Sequence, residues 1–143
     1  MGKASRNGKV LAALATGRLR QAGLRPTRQR VELAGLLFQD CDRHVTAESL
    51  HDEVTKSGVK VSLATVYNTL HQFTQAGLLR QVIVDAARSY FDTNTGDHQH
   101  FFLESEGLLI DIPGESIAVA GVPTPPPGLS VDRVDVVVRV RRN

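Results

Sequence analysis

Residues 62–77 read SLATVYNTLHQFTQAG and predict a single capped helix, on which the interpretation of the fold depends. Ser62 is of a residue type that caps helix N-termini, and Gly77 is of the type that ends helices. Between them an apolar stripe recurs at helical spacing, formed by Leu63, Val66, Leu70 and Phe73. This stripe predicts a helix that packs one face on a core.

Away from the stripe lie small hydrogen-bonding side chains and one tyrosine: Thr65, Tyr67, Asn68, Thr69 and Gln72. A helix face that meets only water usually carries charged side chains. Uncharged groups of this kind instead suit the floor of a DNA major groove. The residues alone leave open the alternative that this face has no function.

Three further helices are predicted before this one. They cover residues 10–22, residues 28–38 behind the N-cap Thr27, and residues 47–57 behind the N-cap Thr46. A chain that begins with several short helices in close succession favours a compact helical domain.

Beyond the fourth helix the apolar period shortens to two. Residues 78–84 and 89–91 predict the strands of a hairpin, with its turn at 85–88. Helices followed by a two-stranded hairpin are the element order of a winged helix-turn-helix. We therefore predict a winged-helix DNA-binding domain at residues 10–92, preceded by a flexible basic N-terminus at residues 1–9.

The rest of the chain predicts strands at residues 100–105, 107–112 and 131–142. Three short strands form a sheet too small to be stable alone, so pairing with a second copy as a homodimer is expected. We predict a dimerisation and metal-sensing domain at residues 97–143, joined through a hinge at residues 93–96. The fold class is α+β, with an N-terminal winged helix-turn-helix followed by a small α/β dimerisation domain.

The stretch FDTNTGDHQHFF, residues 91–102, contains a candidate metal site. His98 and His100 are two positions apart, so on a strand both imidazoles lie on the same side. Asp92 and Asp97 add carboxylates, and such a set suits Fe²⁺, Mn²⁺ or Zn²⁺. A polar turn leading into a strand has the same composition, and both interpretations stay open at this point.

The basic residues are concentrated at the start of the chain. The net charge is only +2, but residues up to Arg30 include eight Lys or Arg and no Asp or Glu, which favours a nucleic-acid partner. The single cysteine, Cys41, excludes an internal disulfide and any Cys-x-x-Cys zinc site. No apolar run predicts a membrane span, so we expect no membrane partner and a cytoplasmic location.

Four stretches resemble the Fur family of metal-responsive repressors, and they are most similar to its iron response regulator branch. They read LRQAGLRPTRQRVELAGLL, HVTAESLHDEV, VSLATVYNTLHQFTQAGLLR and YFDTNTGDHQHFF. The resemblance runs from about Leu19 to Arg142. It implies a regulator rather than an enzyme, with a DNA-binding winged helix, a dimerisation domain and a sensory site at the hinge.

The resemblance also implies roles in binding double-stranded DNA at an AT-rich palindromic operator. Tyr67 matches the residue that touches base edges, by contact with thymine methyl groups. Arg25 matches the basic residue that enters the adjacent minor groove. Thr65 and Asn68 would add contacts to the major groove or to phosphates.

The same resemblance implies a metal site at the hinge, because suitable side chains occupy the family's ligand positions. These are His44, Asp92, His98, His100 and Asp111. An ion held by ligands from both domains would fix their relative orientation and so change the affinity for DNA.

Some positions depart from the family's pattern. Leu103 and Glu106 stand where many relatives have a Cys-x-x-Cys zinc knuckle, so no structural zinc of that kind is expected. Gln99 interrupts the run of histidines associated with haem in the iron response regulator branch, and the sequence has no Cys-Pro haem motif. These departures weigh against haem, for which His98 or His100 would be the axial ligand.

We therefore predict a dimeric DNA-binding transcriptional regulator of iron or haem homeostasis, switched by metal or haem at the hinge. One alternative is a small metal-dependent enzyme that uses the His-x-His pair and the aspartates. No candidate nucleophile or general base accompanies those ligands. The other alternative is a DNA-binding dimer whose hinge residues are only structural.

Overall fold

The computed structural model describes residues 2–39, 41–114 and 116–143. The chain divides into two compact units, Met1–Thr95 and Gly96–Asn143. The division falls inside the segment predicted as a hinge, residues 93–96. Apart from the two-residue strand His44–Val45, the α-helices come before the strands along the chain, which agrees with the predicted α+β class.

The described residues of the first unit form four helices and a three-stranded sheet. Its elements are α1 (Gly2–Gln21), α2 (Arg28–Leu37), β1 (His44–Val45), α3 (Ala47–Lys56), α4 (Leu63–Gln75), β2 (Arg80–Asp85) and β3 (Arg88–Asp92). The strand order is β1-β3-β2, and both pairings are antiparallel. The core buries apolar side chains from every helix and from the sheet, among them Leu19, Leu37, Leu50, Leu70 and Phe91.

Three helix starts follow directly from the sequence, as predicted. Thr27, Thr46 and Ser62 are the N-caps of α2, α3 and α4, and each side chain accepts a hydrogen bond from the backbone N–H three residues later. At α3 the bond is reciprocated, because the Ser49 hydroxyl also accepts from the Thr46 N–H, at 3.0 Å. These bonds satisfy N–H groups that the first turn of a helix leaves without partners.

The first helix differs from the prediction. It begins at Gly2 rather than at residue 10, so the segment predicted to be flexible, residues 1–9, is helical from Gly2 onward. Extending an existing helix costs far less than nucleating one, and no proline precedes Pro26 to stop it. No helix among the described residues combines the length and apolarity needed to cross a bilayer.

The two faces of α4 also differ from the prediction at two positions. Val66, Leu70 and Phe73 are completely buried, as expected. Leu63, in the first turn, is 41% exposed, whereas Thr69 is buried. The Thr69 hydroxyl donates to the Thr65 carbonyl at 2.7 Å, which satisfies the hydroxyl inside the helix and allows its burial.

The predicted hairpin is β2–β3, with Val82 opposite Tyr90 in the antiparallel register. At its turn the Asp85 carboxylate accepts from the Arg88 guanidinium at 2.8 and 3.0 Å and from the Ala87 N–H at 2.9 Å. These hydrogen bonds, chiefly those from Arg88, lower the pKa of Asp85. The turn is therefore closed by contacts between near neighbours in sequence.

The second unit contains β4 (His100–Leu103), a 3₁₀ turn (Glu104–Glu106), β5 (Leu108–Asp111) and β6 (Val137–Val140). β4 is central, antiparallel to β5 and parallel to β6. Among the described residues of this unit, the 3₁₀ turn is the only helical element.

The last strand is shorter than predicted. Alternation of apolar residues predicted a strand over residues 131–142, but β6 is limited to Val137–Val140. Its four residues pair one to one with the four residues of β4, from His100↔Val137 to Leu103↔Val140. A strand needs a partner along its length, and β4 offers only that much edge.

The reciprocal cap at the start of α3 makes a stability prediction. Replacing Thr46→Ala should lower the free energy of unfolding by about 1 kcal/mol, because it leaves the Ser49 N–H without its side-chain acceptor. Urea denaturation followed by far-ultraviolet circular dichroism measures the change. Thr55→Ala, at an exposed position of the same helix, is the matched control and should not destabilise. Equal denaturation midpoints for Thr46→Ala and the wild type would contradict the assignment of this cap.

Candidate metal centre and nucleic-acid face

Two histidines and one aspartate converge in the second unit. The Nε2 atoms of His98 and His100 each lie 3.3 Å from Oδ1 of Asp111, and the two imidazole centroids are 4.5 Å apart. One ligand atom from each of the three residues lies within 4.8 Å of the others. The strand register explains the convergence, because His100 is directly opposite Asp111 in the β4–β5 pair.

The orientation of these rings suits metal binding. Nδ1 of His98 lies 2.7 Å from the Gly96 carbonyl. Since a carbonyl can only accept, Nδ1 is the donor of this bond, and in a neutral ring the lone pair of Nε2 would face Asp111. His100 is buried, whereas the Asp111 side chain is 42% exposed, so the group is open to solvent on one side. Imidazole nitrogens with carboxylate oxygen form a donor set that fits Fe²⁺, Mn²⁺ or Zn²⁺.

A second histidine–aspartate pair lies in the first unit. Nε2 of His44 is 3.2 Å from Oδ2 of Asp92, and the two residues are partners in the β1–β3 register. Asp92 is completely buried, and its Oδ1 accepts from the Asn94 N–H at 2.9 Å. A buried carboxylate requires such partners, because its charge is costly to remove from water.

The five predicted ligands therefore form two groups, each assembled within its own unit. His98, His100 and Asp111 form the group of the second unit, and His44 and Asp92 form that of the first. Their roles as ligands remain predictions. Asp97, which the sequence also placed near the histidines, is exposed to solvent.

Gln99 has a role that its position between the histidines did not reveal. Its side-chain oxygen accepts from the Val136 N–H at 2.6 Å, and its amide nitrogen donates to the Val134 carbonyl at 3.3 Å. The backbone of the same residue accepts from the Ile112 N–H at 2.9 Å. Gln99 thus ties the segment that leads into β6 to the segment that leads into β4.

The face of α4 that the sequence assigned to DNA is partly exposed. Tyr67 is 48% exposed and Asn68 is exposed, whereas Thr65 is half-buried. The Thr65 hydroxyl accepts from the Ser62 hydroxyl at 2.9 Å, within the N-cap of the helix. Of these three side chains, Tyr67 and Asn68 are therefore the exposed ones.

Sequence reasoning missed Arg30, which connects the two predicted DNA-contacting elements. Its Nη1 donates to the Arg25 carbonyl at 2.9 Å, while Nε and Nη2 donate to Oε1 of Gln72 at 3.3 and 3.0 Å. The Arg25 backbone is thereby held to α4, and the Arg25 side chain is exposed. Gln72 is 42 positions from Arg30, so no local pattern signals the contact.

The two bonds of the Gln99 side chain predict a local effect. Gln99→Leu should leave the Val136 N–H without its acceptor and should increase hydrogen exchange at the amides of β6 by about tenfold or more, given the usual cost of an unsatisfied buried group. Amide exchange measured by NMR on the uniformly labelled protein tests this. The amides of β2 and β3 should exchange as in the wild type, and so should all amides of the control Gln75→Leu. Unchanged protection of β6 would show that Gln99 does not hold the strand.

Comparison with known proteins identifies relatives of this chain. Residues 21–121 match the ferric uptake regulator family. The peroxide-responsive repressor PerR of Staphylococcus aureus (strain Mu50) is 33% identical over 93 residues, which are 65% of this chain and 62% of that protein. The chain thus spans less than two thirds of the length of the curated relatives that it matches.

Solved structures agree with this match. The ferric uptake regulator from Pseudomonas aeruginosa with manganese is 27% identical, with a TM-score of 0.67 over 90% of this chain and 97% of that one. The Vibrio cholerae ferric uptake regulator, at 21% identity and a TM-score of 0.69 over 89% and 98% of the two chains, has the same fold. The matched residues include every predicted DNA contact and metal ligand, and the chain belongs to the ferric uptake regulator family.

Proposed function

We propose that this protein is a dimeric DNA-binding transcriptional regulator of iron or haem homeostasis, switched by a divalent metal. The observation that carries the proposal is the convergence of His98 and His100 on the Asp111 carboxylate, both at 3.3 Å. Two imidazole nitrogens and a carboxylate oxygen at these distances form a donor set that suits a divalent metal. Membership of the ferric uptake regulator family supports the same function.

Double-stranded DNA is the proposed partner, and an AT-rich palindrome is the proposed operator. Tyr67 and Asn68 would meet base edges in the major groove, and Arg25 would enter the adjacent minor groove. Thr65 would contribute a further polar contact. The α4 helix carries no Lys or Arg, so the phosphate charge would be met by the basic residues that precede Glu32. Since DNA is the target, the proposed location is the cytoplasm.

A homodimer is proposed from the composition of the second unit. Leu108 and Ile110 lie on β5 and are 46% and 41% exposed. Large exposed apolar side chains side by side on an edge strand favour pairing with another surface. A two-fold dimer would also present two α4 helices to a palindromic site.

The proposed switch is one ion shared by the two ligand groups. His44 and Asp92 would bind it from the first unit, and His98, His100 and Asp111 from the second. Coordination of the ion by ligands from both units would link them, and this link would set the spacing of the two α4 helices in the dimer. Fe²⁺, Mn²⁺ and Zn²⁺ all suit the donor set. Haem is the less favoured ligand, because Gln99 interrupts the run of histidines and its side chain is engaged with the backbone of Val134 and Val136.

Mobility shifts on an AT-rich palindrome, with and without Mn²⁺, Fe²⁺, Zn²⁺ and haem, test the proposal. We expect specific binding whose affinity changes on addition of a divalent metal. No binding under any of these conditions would rule out a regulator and would favour a metal-dependent enzyme. Binding that is indifferent to every ligand would leave a DNA-binding dimer without sensing.

The role of Tyr67 predicts a loss of DNA affinity. Tyr67→Ala should weaken operator binding by about five- to a hundredfold, the range expected for a side chain that reads a base edge. Gln75→Ala, at an exposed position near the end of the same helix, should bind as the wild type does. Fluorescence anisotropy at fixed salt measures both, since salt alone changes such affinities strongly. Equal affinity of the Tyr67→Ala variant and the wild type would exclude α4 as the reading helix.

The proposed metal site predicts that a variant without the paired histidines loses metal binding and the response of its DNA affinity to metal. His98→Ala with His100→Ala should reduce Mn²⁺ affinity in calorimetry by about a hundredfold or more, because two of the proposed ligands are gone. DNA affinity should then no longer respond to Mn²⁺. His51→Gln is the matched control, since the His51 imidazole is engaged with the Val61 carbonyl at 2.9 Å. A double variant that still binds and responds to Mn²⁺ would place the metal elsewhere.

A further inference from the structure

The ring of Tyr67 rests on His71, one turn further along α4. Their ring centroids are 4.5 Å apart, with planes at 65°. His71 in turn meets Phe91 of β3 edge to face, with centroids 5.4 Å apart and planes at 89°. Tyr67 is 48% exposed, His71 is half-buried and Phe91 is 1% exposed. The three rings therefore form a chain of contacts from an exposed side chain to the core of the first unit.

The inner end of this chain of contacts is fixed. Phe91 lies on the central strand of the sheet, β3, and pairs with Val45 of β1 on one side and Gln81 of β2 on the other. A fully buried phenylalanine in a paired central strand has little rotational freedom. His71 contacts this fixed ring on one side and the exposed tyrosine on the other, so it transmits the rigidity of the sheet to Tyr67.

The contacts have the geometry that aromatic rings prefer. Edge-to-face pairs at such distances are favourable beyond the area that they bury. An exposed tyrosine without a neighbour samples several rotamers, and fixing it on binding costs conformational entropy. Contact with His71 removes part of that cost before the DNA arrives.

We propose that His71 is a positioning residue, which holds the Tyr67 ring in the orientation that meets a thymine methyl group, with Phe91 as its fixed support. The consequence for DNA rests on the proposed function, whereas the orienting of the ring rests on the contacts alone. The sequence alone gives His71 no role. Its half-burial between two rings gives it one.

The ring orientation is measurable without DNA. The chain has only two tyrosines, Tyr67 and Tyr90, so tyrosine-selective labelling yields two assignable sets of ring resonances. His71→Leu should move the Tyr67 ring resonances toward those of a free tyrosine, because it removes a ring at contact distance. His71→Phe should keep them displaced. The buried Tyr90 reports whether the fold is intact, and His71→Gln replaces His71→Leu if the latter fails to fold.

Recognition of the thymine methyl group is measured as the ratio of affinities for two operators that differ only in carrying thymidine or deoxyuridine. The wild type should lose about fourfold in affinity on removal of the methyl group, the usual worth of one buried methyl. His71→Leu should weaken binding to the thymine operator by about three- to tenfold and bring the thymine-to-uracil ratio close to one. His71→Phe should keep the ratio. In a Tyr67→Ala background, His71→Leu should have no further effect, since there is no ring left to orient.

Each outcome decides the matter. Unchanged Tyr67 resonances in His71→Leu would overturn the proposal, and so would an unchanged thymine-to-uracil ratio in a folded variant. An additive effect of His71→Leu in the Tyr67→Ala background would show that His71 acts on DNA by another route. Failure of the wild type to bind DNA would instead contradict the proposed function, while the resonances would still decide whether His71 orients the ring.

Discussion

The burial of one face of α4 is the interaction on which the first unit depends. Val66, Leu70 and Phe73 are completely removed from water, and each such side chain stabilises the fold by about 1.5–3 kcal/mol. Burying that face determines which side chains remain outside. Tyr67 and Asn68 are exposed because the positions next to them are committed to the core, so the stability of the unit and its proposed DNA face arise from the same contact.

The strand β3 connects that helix to the candidate metal ligands. Side chains of consecutive strand residues point to opposite faces of a sheet. Phe91 accordingly faces the helices and supports His71, while its neighbour Asp92 lies opposite His44 at 3.2 Å. One short strand thus carries the support of the proposed reading side chain and a proposed metal ligand at adjacent positions. A change at either residue would be expected to act through the same rigid element.

Two side-chain contacts hold the last strand of the second unit. The Gln99 side chain binds the backbone on the approach to β6, and the Glu106 carboxylate accepts from the Arg142 guanidinium at 2.7 and 2.9 Å. These contacts lie at the two ends of the four-residue pairing between β4 and β6. Leu103 and Glu106 stand where many relatives have a Cys-x-x-Cys zinc knuckle, and Glu106 contributes an ion pair there.

The sequence by itself determined the three capped helices, the hairpin and the pairing of His98 with His100, because caps, periodicity and the His-x-His spacing depend on neighbouring residues. His44 and Asp111 are candidate ligands through the family resemblance. The exposure predicted for Leu63 and Thr69 was wrong. For Thr69 the reason is that periodicity does not register a hydroxyl whose hydrogen bond is made inside its own helix. Only the tertiary structure decided that α1 begins at Gly2, that β6 is limited by the length of β4, and that Arg30, Gln99 and His71 have partners. Their contacts join residues as far as 42 positions apart, and such pairs are brought together by packing of whole elements rather than by any local pattern.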